Sequence, residues 1–167
     1  MELTIREAMP DDAEALLEYM RIIGGETDNL SFGCEGLPLS AEQEREFIQS
    51  VSGSGRNVLF VAYDGAVLVG TAQLTCFSRR FSHRSELAVS MRKTWWGEGI
   101  GSRLLEALIV FAKEKADVEV ISLEVRSDNE RAIALYRKFG FRKYGTYRKF
   151  FKIDGKYFDA DCMNLYL

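Results

Sequence analysis

The sequence predicts an α/β fold built around a mixed β-sheet. Segments with helical and strand periodicity follow one another in the order β-α-α-β-β-β-α-β-α-β-β. Residues 83–125 form a strand–helix–strand unit, which is a right-handed crossover and places two parallel strands side by side. The 167 residues are close to the size of one ordinary domain, so we expect a single domain over residues 1–167.

The first elements are a strand, a helix and a long loop. Residues 3–8 alternate between apolar and polar side chains and predict a strand. Asp11 and Glu14 follow Pro10 with the spacing of a capping box, so a helix should begin there and run to about Ile23. Residues 24–39 contain four Gly and one Pro and are expected to form a loop.

The later elements follow the same rules. Ser40 and Gln43 form a second capping box, and Asp64 with Gly65 forms a strong hairpin turn. The second helix should end by residues 52–55, and two more helices are expected over residues 99–115 and 128–139. Strands are expected over residues 57–63, 66–76, 83–91, 118–125, 141–152 and 156–166.

Composition limits the functional class. An apolar fraction of 47% and a charged fraction of 28% are typical of a soluble protein that buries a core. The net charge of −3 argues against a sequence-independent nucleic-acid binder. Cys34, Cys76 and Cys162 are an odd number without a C-x-x-C pair, which favours neither disulfides nor a zinc site and fits a reducing compartment.

No segment suggests export or membrane insertion. Residues 1–12 lack an apolar signal core, and no run approaches the roughly 18 apolar residues of a spanning helix. We therefore expect a cytoplasmic protein without a membrane or nucleic-acid partner.

The most informative segment is WWGEGIG at residues 95–101, between a strand and a helix. Gly97, Gly99 and Gly101 allow the backbone to approach a ligand, and the first free N–H groups of the helix attract an anion. A phosphate or pyrophosphate is the expected occupant, and a plain tight turn is the alternative. The spacing G-x-G-x-G differs from the nicotinamide fingerprint, and the Gly-Lys-Ser/Thr of a nucleoside triphosphate loop is absent.

Two sequence blocks resemble the GCN5-related N-acetyltransferases, the GNAT superfamily. AVSM at residues 88–91, followed by WGEGIGSRLL at residues 96–105, resembles the coenzyme A loop of that family. SDNERAIALYRKFGF at residues 127–141 resembles its N-x-x-A-x-x-x-Y-x-x-x-G-F block. The blocks lie in the family's order and separation, with one departure: Trp96 stands where the family usually has Gln or Arg.

The resemblance implies a mixed, mostly antiparallel central sheet with two splayed parallel strands, flanked by about four helices. It also implies acetyl-coenzyme A (acetyl-CoA) as cosubstrate and no metal. In the family, backbone groups beside the splayed strands bind pantetheine, the glycine loop binds pyrophosphate, and an Asn binds near pantetheine. The implied cofactor-binding residues are Val89, Met91, Trp96, Gly97, Glu98, Gly99, Ile100, Gly101, Ser102 and Asn129. For Asn129, a simple helix cap is an alternative that is compatible with the binding role.

The resemblance also implies the catalytic groups. Tyr136 matches the family's general acid, seven residues after Asn129, and a core aromatic is the alternative. Glu86, on the strand before the loop, is our candidate base, directly or through a water, and a solvated carboxylate is the alternative. A backbone N–H of residues 88–91 is the candidate oxyanion donor. Glu124 could face the acceptor cleft or a salt-bridge partner.

These residues predict an N-acetyltransferase that acts on a primary amine of a small molecule or metabolite. An alternative acceptor is a protein N-terminus, because DGKYFD at residues 154–159 resembles a hairpin of the ribosomal-protein acetyltransferase-like branch. A further alternative is a non-catalytic sensor of coenzyme A. The sequence does not name the acceptor, for which residues 24–39 and 77–84 are the candidate loops, and it leaves a homodimer open.

Overall fold

The computed structural model describes residues 2–167, which form one seven-stranded sheet with helices on both faces. The strands are β1 (Leu3–Glu7), β2 (Val58–Asp64), β3 (Val67–Cys76), β4 (Arg84–Met91), β5 (Val120–Arg126), β6 (Arg142–Ile153) and β7 (Lys156–Tyr166). The helices are α1 (Ala13–Glu26), α2 (Ala41–Gly53), α3 (Ile100–Glu114) and α4 (Glu130–Lys138). The strand order is β1-β2-β3-β4-β5-β7-β6.

Every neighbouring pair of strands is antiparallel except β4 and β5. These two strands pair only where Arg84–Glu86 run beside Val120–Ser122. Beyond this point residues 87–91 remain paired with β3 and residues 123–126 with β7, so the two strands separate. The prediction of a mixed, mostly antiparallel sheet with splayed parallel strands and four helices is confirmed.

Successive side chains of each strand point to opposite faces of the sheet, so the protein has a hydrophobic core on each face. On one face, α3 and α4 pack on residues such as Leu87 and Leu123. On the other face, α1 and α2 pack on β2 through residues such as Leu59 and Val61. Glu86 and Ala88 of β4 and Glu124 of β5 are exposed on this second face, and a cleft opens there.

The predicted start and end of the first helix are wrong in detail. A 3-10 turn at Pro10–Asp12 precedes α1, and the carboxylate that accepts the Met9 backbone N–H at 2.7 Å belongs to Asp12, not Asp11. The helix then continues through Gly24 and Gly25, which were expected in the loop. A Cβ at Gly24 would overlap the Gly33 carbonyl, so this glycine permits the following loop to pack closely and does not end the helix.

Other local predictions are confirmed. The Gln43 N–H donates to Ser40 Oγ at 3.1 Å and the Ser40 N–H donates to Gln43 Oε1 at 2.9 Å, which completes the capping box of α2. The β2–β3 hairpin turns at Gly65, whose φ is +58°. Within residues 2–167, no helix is both long and apolar enough to span a membrane.

Candidate active site

A cleft of about 920 Å³ lies where β4 and β5 separate, between the start of α3, helix α4, and the loop that follows α1. The residues predicted for the site line this cleft with one exception, Glu98, which is exposed and outside the lining. The predicted residues that line it are Glu86, Val89, Met91, Trp96, Gly97, Gly99, Ile100, Gly101, Ser102, Asn129 and Tyr136.

The open edge of β4 presents the backbone groups of alternate residues. The Phe77 N–H donates to the Arg84 carbonyl at 3.0 Å, and the Arg92 N–H donates to the Val69 carbonyl at 2.9 Å. Antiparallel pairing alternates, so even-numbered residues of β4 bond to β3 and odd-numbered ones point toward β5. Where the strands diverge, Val89 and Met91 therefore direct their backbone groups into the gap.

One of those groups is already used by the side chain of Trp96. The indole Nε1–H donates to the Met91 carbonyl at 3.1 Å, which leaves the N–H of Met91 and both groups of Val89 for a ligand. The Arg131 guanidinium lies 4.9 Å from the Trp96 ring centroid, and Lys93 Nζ lies 6.0 Å from it. Trp96 thus ties the glycine loop to the end of β4 and holds two cations beside it.

The glycine loop ends in a left-handed turn that exposes the start of α3. Gly99 caps the helix with φ of +79°, and the first helical bond runs from the Arg103 N–H to the Gly99 carbonyl at 3.2 Å. The N–H groups of Ile100, Gly101 and Ser102 therefore have no acceptor within the helix. These groups, together with the positive end of the helix dipole, form an anion site on the cleft wall.

Asn129 precedes α4 as its N-cap residue, and Tyr136 lies on α4. The Ala132 N–H donates to Asn129 Oδ1 at 3.2 Å, so Asn129 caps the helix as one reading of the sequence predicted. Tyr136 is 7% exposed and packs edge-on against Phe141 at 5.7 Å, yet it also lines the cleft. Burial raises the pKa of Tyr136 to about 12, so its hydroxyl is protonated at neutral pH.

Two carboxylates face each other across the splay. Glu86 on β4 and Glu124 on β5 are both exposed to the cleft. Partial burial, and then the neighbouring charge of Glu86, raise the pKa of Glu124. The sequence left two orientations of Glu124 open, toward the acceptor cleft or toward a salt-bridge partner. In the structure Glu124 lies in the cleft and forms no ion pair with any residue of 2–167. Ile121, Leu123 and Val125 pack in the core on one face of β5, so Glu124 points to the other face. This alternation along the strand was the sequence signal for its orientation.

A chain of hydroxyls on the cleft floor was not predicted from the sequence. Tyr19 Oη lies 2.9 Å from Ser90 Oγ, which lies 2.9 Å from Thr71 Oγ1. Burial raises the pKa of Tyr19, so it is a neutral phenol. These residues are far apart in sequence, and no local motif indicates their contact. His83 is exposed and outside the lining, and no cluster of three or more His, Cys, Asp or Glu suited to a metal occurs in the described chain.

Comparison with known proteins agrees with this architecture. Residues 26–141, more than half of the chain, match the model of the Acetyltransferase (GNAT) family. The chain belongs to this family of acetyltransferases.

Individual relatives differ in acceptor. N-alpha-acetyltransferase RimI of Mycobacterium tuberculosis is 37% identical over 95 residues, which are 56% of this chain and 58% of that protein. L-amino acid N-acetyltransferase AaaT of Escherichia coli is 33% identical over 110 residues, 65% of this chain and 67% of that protein. The match to RimI thus spans less than two thirds of that relative.

Solved structures match over almost the whole chain. An acetyltransferase of the GNAT family from Streptococcus pneumoniae has a TM-score of 0.96 at 30% identity, covering 99% of this chain and 100% of that one. Ribosomal-protein-alanine N-acetyltransferase from Brucella melitensis has a TM-score of 0.86 at 30% identity, and the match covers 98% of this chain and 99% of that one. YncA from Salmonella typhimurium, solved with acetyl-CoA, shares the fold with a TM-score of 0.86 at 21% identity. The match covers 100% of this chain and 95% of that one.

Proposed function

We propose that the chain transfers the acetyl group of acetyl-CoA to a primary amine of a small molecule or metabolite, by direct attack of the amine on the thioester. The observation that carries this proposal is the order of groups along one cleft. An anion site at the start of α3, an unpaired strand edge and a pair of carboxylates follow one another along it. A long ligand with a phosphate end and a reactive thioester end fits that order.

The binding part of the proposal assigns each group of the ligand to a part of the cleft. The N–H groups of Ile100, Gly101 and Ser102 bind the pyrophosphate. Val89 pairs with the pantetheine arm as a neighbouring strand would, through its carbonyl group, and Met91 adds its N–H. Asn129, while capping α4, lies beside the same arm.

Two side chains, Glu86 and Tyr136, each take part in one proton transfer of the proposed chemistry. Glu86, directly or through a water, removes a proton from the ammonium form of the acceptor, and the neutral nitrogen then attacks the acetyl carbonyl carbon. Of residues 88–91, only Val89 and Met91 direct an N–H into the gap. Because the Met91 N–H binds the pantetheine arm, the Val89 N–H stabilises the developing oxyanion. The attached nitrogen then carries a positive charge and loses its second proton to water as the tetrahedral intermediate collapses. As the carbon–sulfur bond breaks, the protonated hydroxyl of Tyr136 gives its proton to the thiolate, and water reprotonates Tyr136.

A protein N-terminus is the second candidate acceptor. The similarity to RimI and to the Brucella ribosomal-protein-alanine N-acetyltransferase supports it, whereas the similarity to AaaT supports a free amino compound. In either case the nucleophile is an amine at the same place in the cleft, beside Glu86.

A thiol-release assay with acetyl-CoA tests the proposed function. The acceptors to compare are polyamines, amino acids, aminoglycosides and short peptides with a free N-terminus. We expect release of coenzyme A to depend on one of the small amines. Release with peptides alone would favour the second candidate, and tight binding of acetyl-CoA without release with any amine would indicate a sensor.

Calorimetry of glycine variants tests the anion site. Gly99→Val adds a side chain on the open wall where the pyrophosphate approaches, and we expect at least about tenfold weaker binding of acetyl-CoA. Gly55→Val is the matched control, because Gly55 also has a positive φ, +70°, and open space around it, but lies outside the cleft. Equal affinity in both variants would contradict the assignment of the loop.

A further inference from the structure

The far end of the cleft contains a buried carboxylate that the proposed chemistry does not use. Glu44, in the first turn of α2, lines the cavity but is only 3% exposed. Its Oε2 atom is fully enclosed and has no hydrogen-bond partner among residues 2–167. Such a group costs stability unless a ligand completes it, because an unpaired buried carboxylate loses its hydration.

The surroundings of Glu44 are otherwise apolar. Burial raises its pKa, and no charge in the described chain counters that effect. Apolar side chains from α1, the loop, α2 and β2 line the same cavity: Met20, Leu30, Phe32, Leu37, Leu39, Phe47 and Leu59. This part of the cleft suits a hydrocarbon chain that ends in a hydrogen-bond donor.

Glu44 and the proposed reacting end belong to different elements of the fold. Helix α2 packs on β2, and Leu59 of β2 pairs with Gln73 of β3, which pairs with Ala88 of β4. Glu86 is on β4, two interstrand spacings from β2, which is roughly 10 Å. Glu44, on the helix that packs on β2, and Glu86, on β4, therefore line different parts of the same cavity.

The charged residues that line the cavity favour a cationic ligand. Glu44, Glu86 and Glu124 are the acidic residues that line the cavity. Three basic residues line the same cavity: Arg126, Arg131 and the exposed Lys138 in the last turn of α4. Arg131 stacks on Trp96, and Arg126 is held by both carboxylate oxygens of Asp128, at 2.7 and 2.8 Å. With Arg126 paired to Asp128, three carboxylates and two cations remain, so the lining of the cavity has a net negative charge.

We propose that the acceptor carries a second cationic nitrogen, which binds Glu44 while the reacting amine lies at Glu86 and Glu124, with an apolar spacer between the two nitrogens. This inference rests on the proposed N-acetyltransferase function and names the class of its substrate. The second nitrogen supplies the hydrogen bonds that the Glu44 carboxylate lacks, and the spacer packs against Leu30, Phe32 and Phe47.

The test compares linear diamines, from diaminobutane to diaminooctane, with monoamines of the same carbon number. Thiol release with acetyl-CoA gives kcat/KM, and calorimetry in the presence of coenzyme A gives the Kd of each amine. In the wild type we expect diamines of one length to exceed the matching monoamine by at least about tenfold in kcat/KM, the effect of one charge-assisted hydrogen bond.

Substitution of Glu44 should remove that advantage. Glu44→Gln keeps the shape and removes the charge, so the diamine-to-monoamine ratio of kcat/KM should fall about tenfold. Glu44→Leu should abolish the preference altogether. Glu46→Gln is the matched control on the same helix, because Glu46 is exposed and outside the cleft, and it should keep the wild-type ratio.

The outcomes separate this inference from the proposed function. Acetylation of monoamines and diamines without preference, or an equal ratio in the wild type and Glu44→Gln, would overturn the inference and leave the proposed function standing. If no amine releases coenzyme A, the proposed function fails. The calorimetric affinity for diamines in the wild type and Glu44→Gln then decides the inference alone, and equal affinities overturn it.

Discussion

Single residues of the site combine a structural role with a place in the cleft lining. Tyr136 belongs to the hydrophobic core through its ring and reaches the cleft as well, so the two readings of its motif are compatible. Asn129 is likewise a helix cap that lines the cleft. Substitutions must therefore separate the ring from the hydroxyl, or the carboxylate from its charge, to reveal a catalytic role.

Tyr136→Phe removes only the hydroxyl, and its ring still packs against Phe141. We expect kcat to fall by about 10²–10⁴-fold, because the thiolate loses its proton donor. The Kd of acetyl-CoA should change little, since the backbone contacts of β4 and α3 remain. Steady-state kinetics and calorimetry measure the two quantities. Turnover at the wild-type rate in a folded variant would reduce Tyr136 to a packing role.

The carboxylate pair gives a second comparison at this scale. Glu86→Gln should lower kcat by about 10²-fold or more if Glu86 is the base. It should also lower the pKa of Glu124, because the charge of Glu86 is one cause that raises it. Glu124→Gln is the matched variant across the splay, with a smaller expected loss of kcat. A larger loss in Glu124→Gln would identify Glu124 as the base. The loss of kcat is measured by pH–rate profiles from pH 5 to 9, and the change in the pKa of Glu124 by a titration of its carboxyl group.

The sequence predicted those site residues that belong to local motifs. The glycine loop, Asn129 and Tyr136 lie in two short blocks whose spacing is readable along the chain. Glu44 and the Tyr19–Ser90 contact were not predictable in this way. They depend on how α1 and α2 dock on the sheet, and Tyr19 and Ser90 are 71 positions apart in sequence.

At the scale of elements, the end of α1 shows where composition misleads. Gly24 and Gly25 were expected to break the helix, but they form its last turn. The requirement at Gly24 is tertiary, because the Gly33 carbonyl occupies the space of a side chain. Strand alternation and capping boxes predicted the other elements to within a few residues because those signals are local.

Gly24→Ala should therefore destabilise the protein and displace the loop that lines the acceptor end of the cleft. We expect a loss of roughly 1–3 kcal/mol in the free energy of unfolding, as for other overpacked sites, with a higher KM for the acceptor. Gly25→Ala is the control in the next position, where an added Cβ would meet Cys34 Cβ at an ordinary 3.6 Å. It should be neutral or more stable by up to about 1 kcal/mol, because Ala favours the helix. Chemical denaturation of both variants measures the difference, and equal stability would contradict the packing argument.

At the scale of the whole molecule, one ionic cluster joins the first strand, the first helix and the hairpin. The buried Asp12 carboxylate accepts hydrogen bonds from Arg6 at 2.7 and 2.8 Å, from the Met9 N–H at 2.7 Å and from Tyr63 Oη at 2.8 Å. Burial alone would raise the pKa of Asp12. The hydrogen bonds and the charge of Arg6 outweigh burial and lower the pKa to about 2.

This cluster should make folding stability depend on acid. The unfolded chain binds a proton at Asp12 more readily than the folded chain, so the contribution is complete above the ordinary pKa and is lost as pH falls toward 2. A shift from 3.8 to about 2 corresponds to about 2 kcal/mol.

Asp12→Asn should lower the free energy of unfolding by about that amount at pH 7, with a difference from the wild type that shrinks between about pH 5 and pH 2. Asp11→Asn, an exposed neighbour, is the control and should follow the wild type. Urea denaturation across this pH range provides the measurement. A constant difference between Asp12→Asn and the wild type would show that Asp12 stabilises the fold by shape and not by charge.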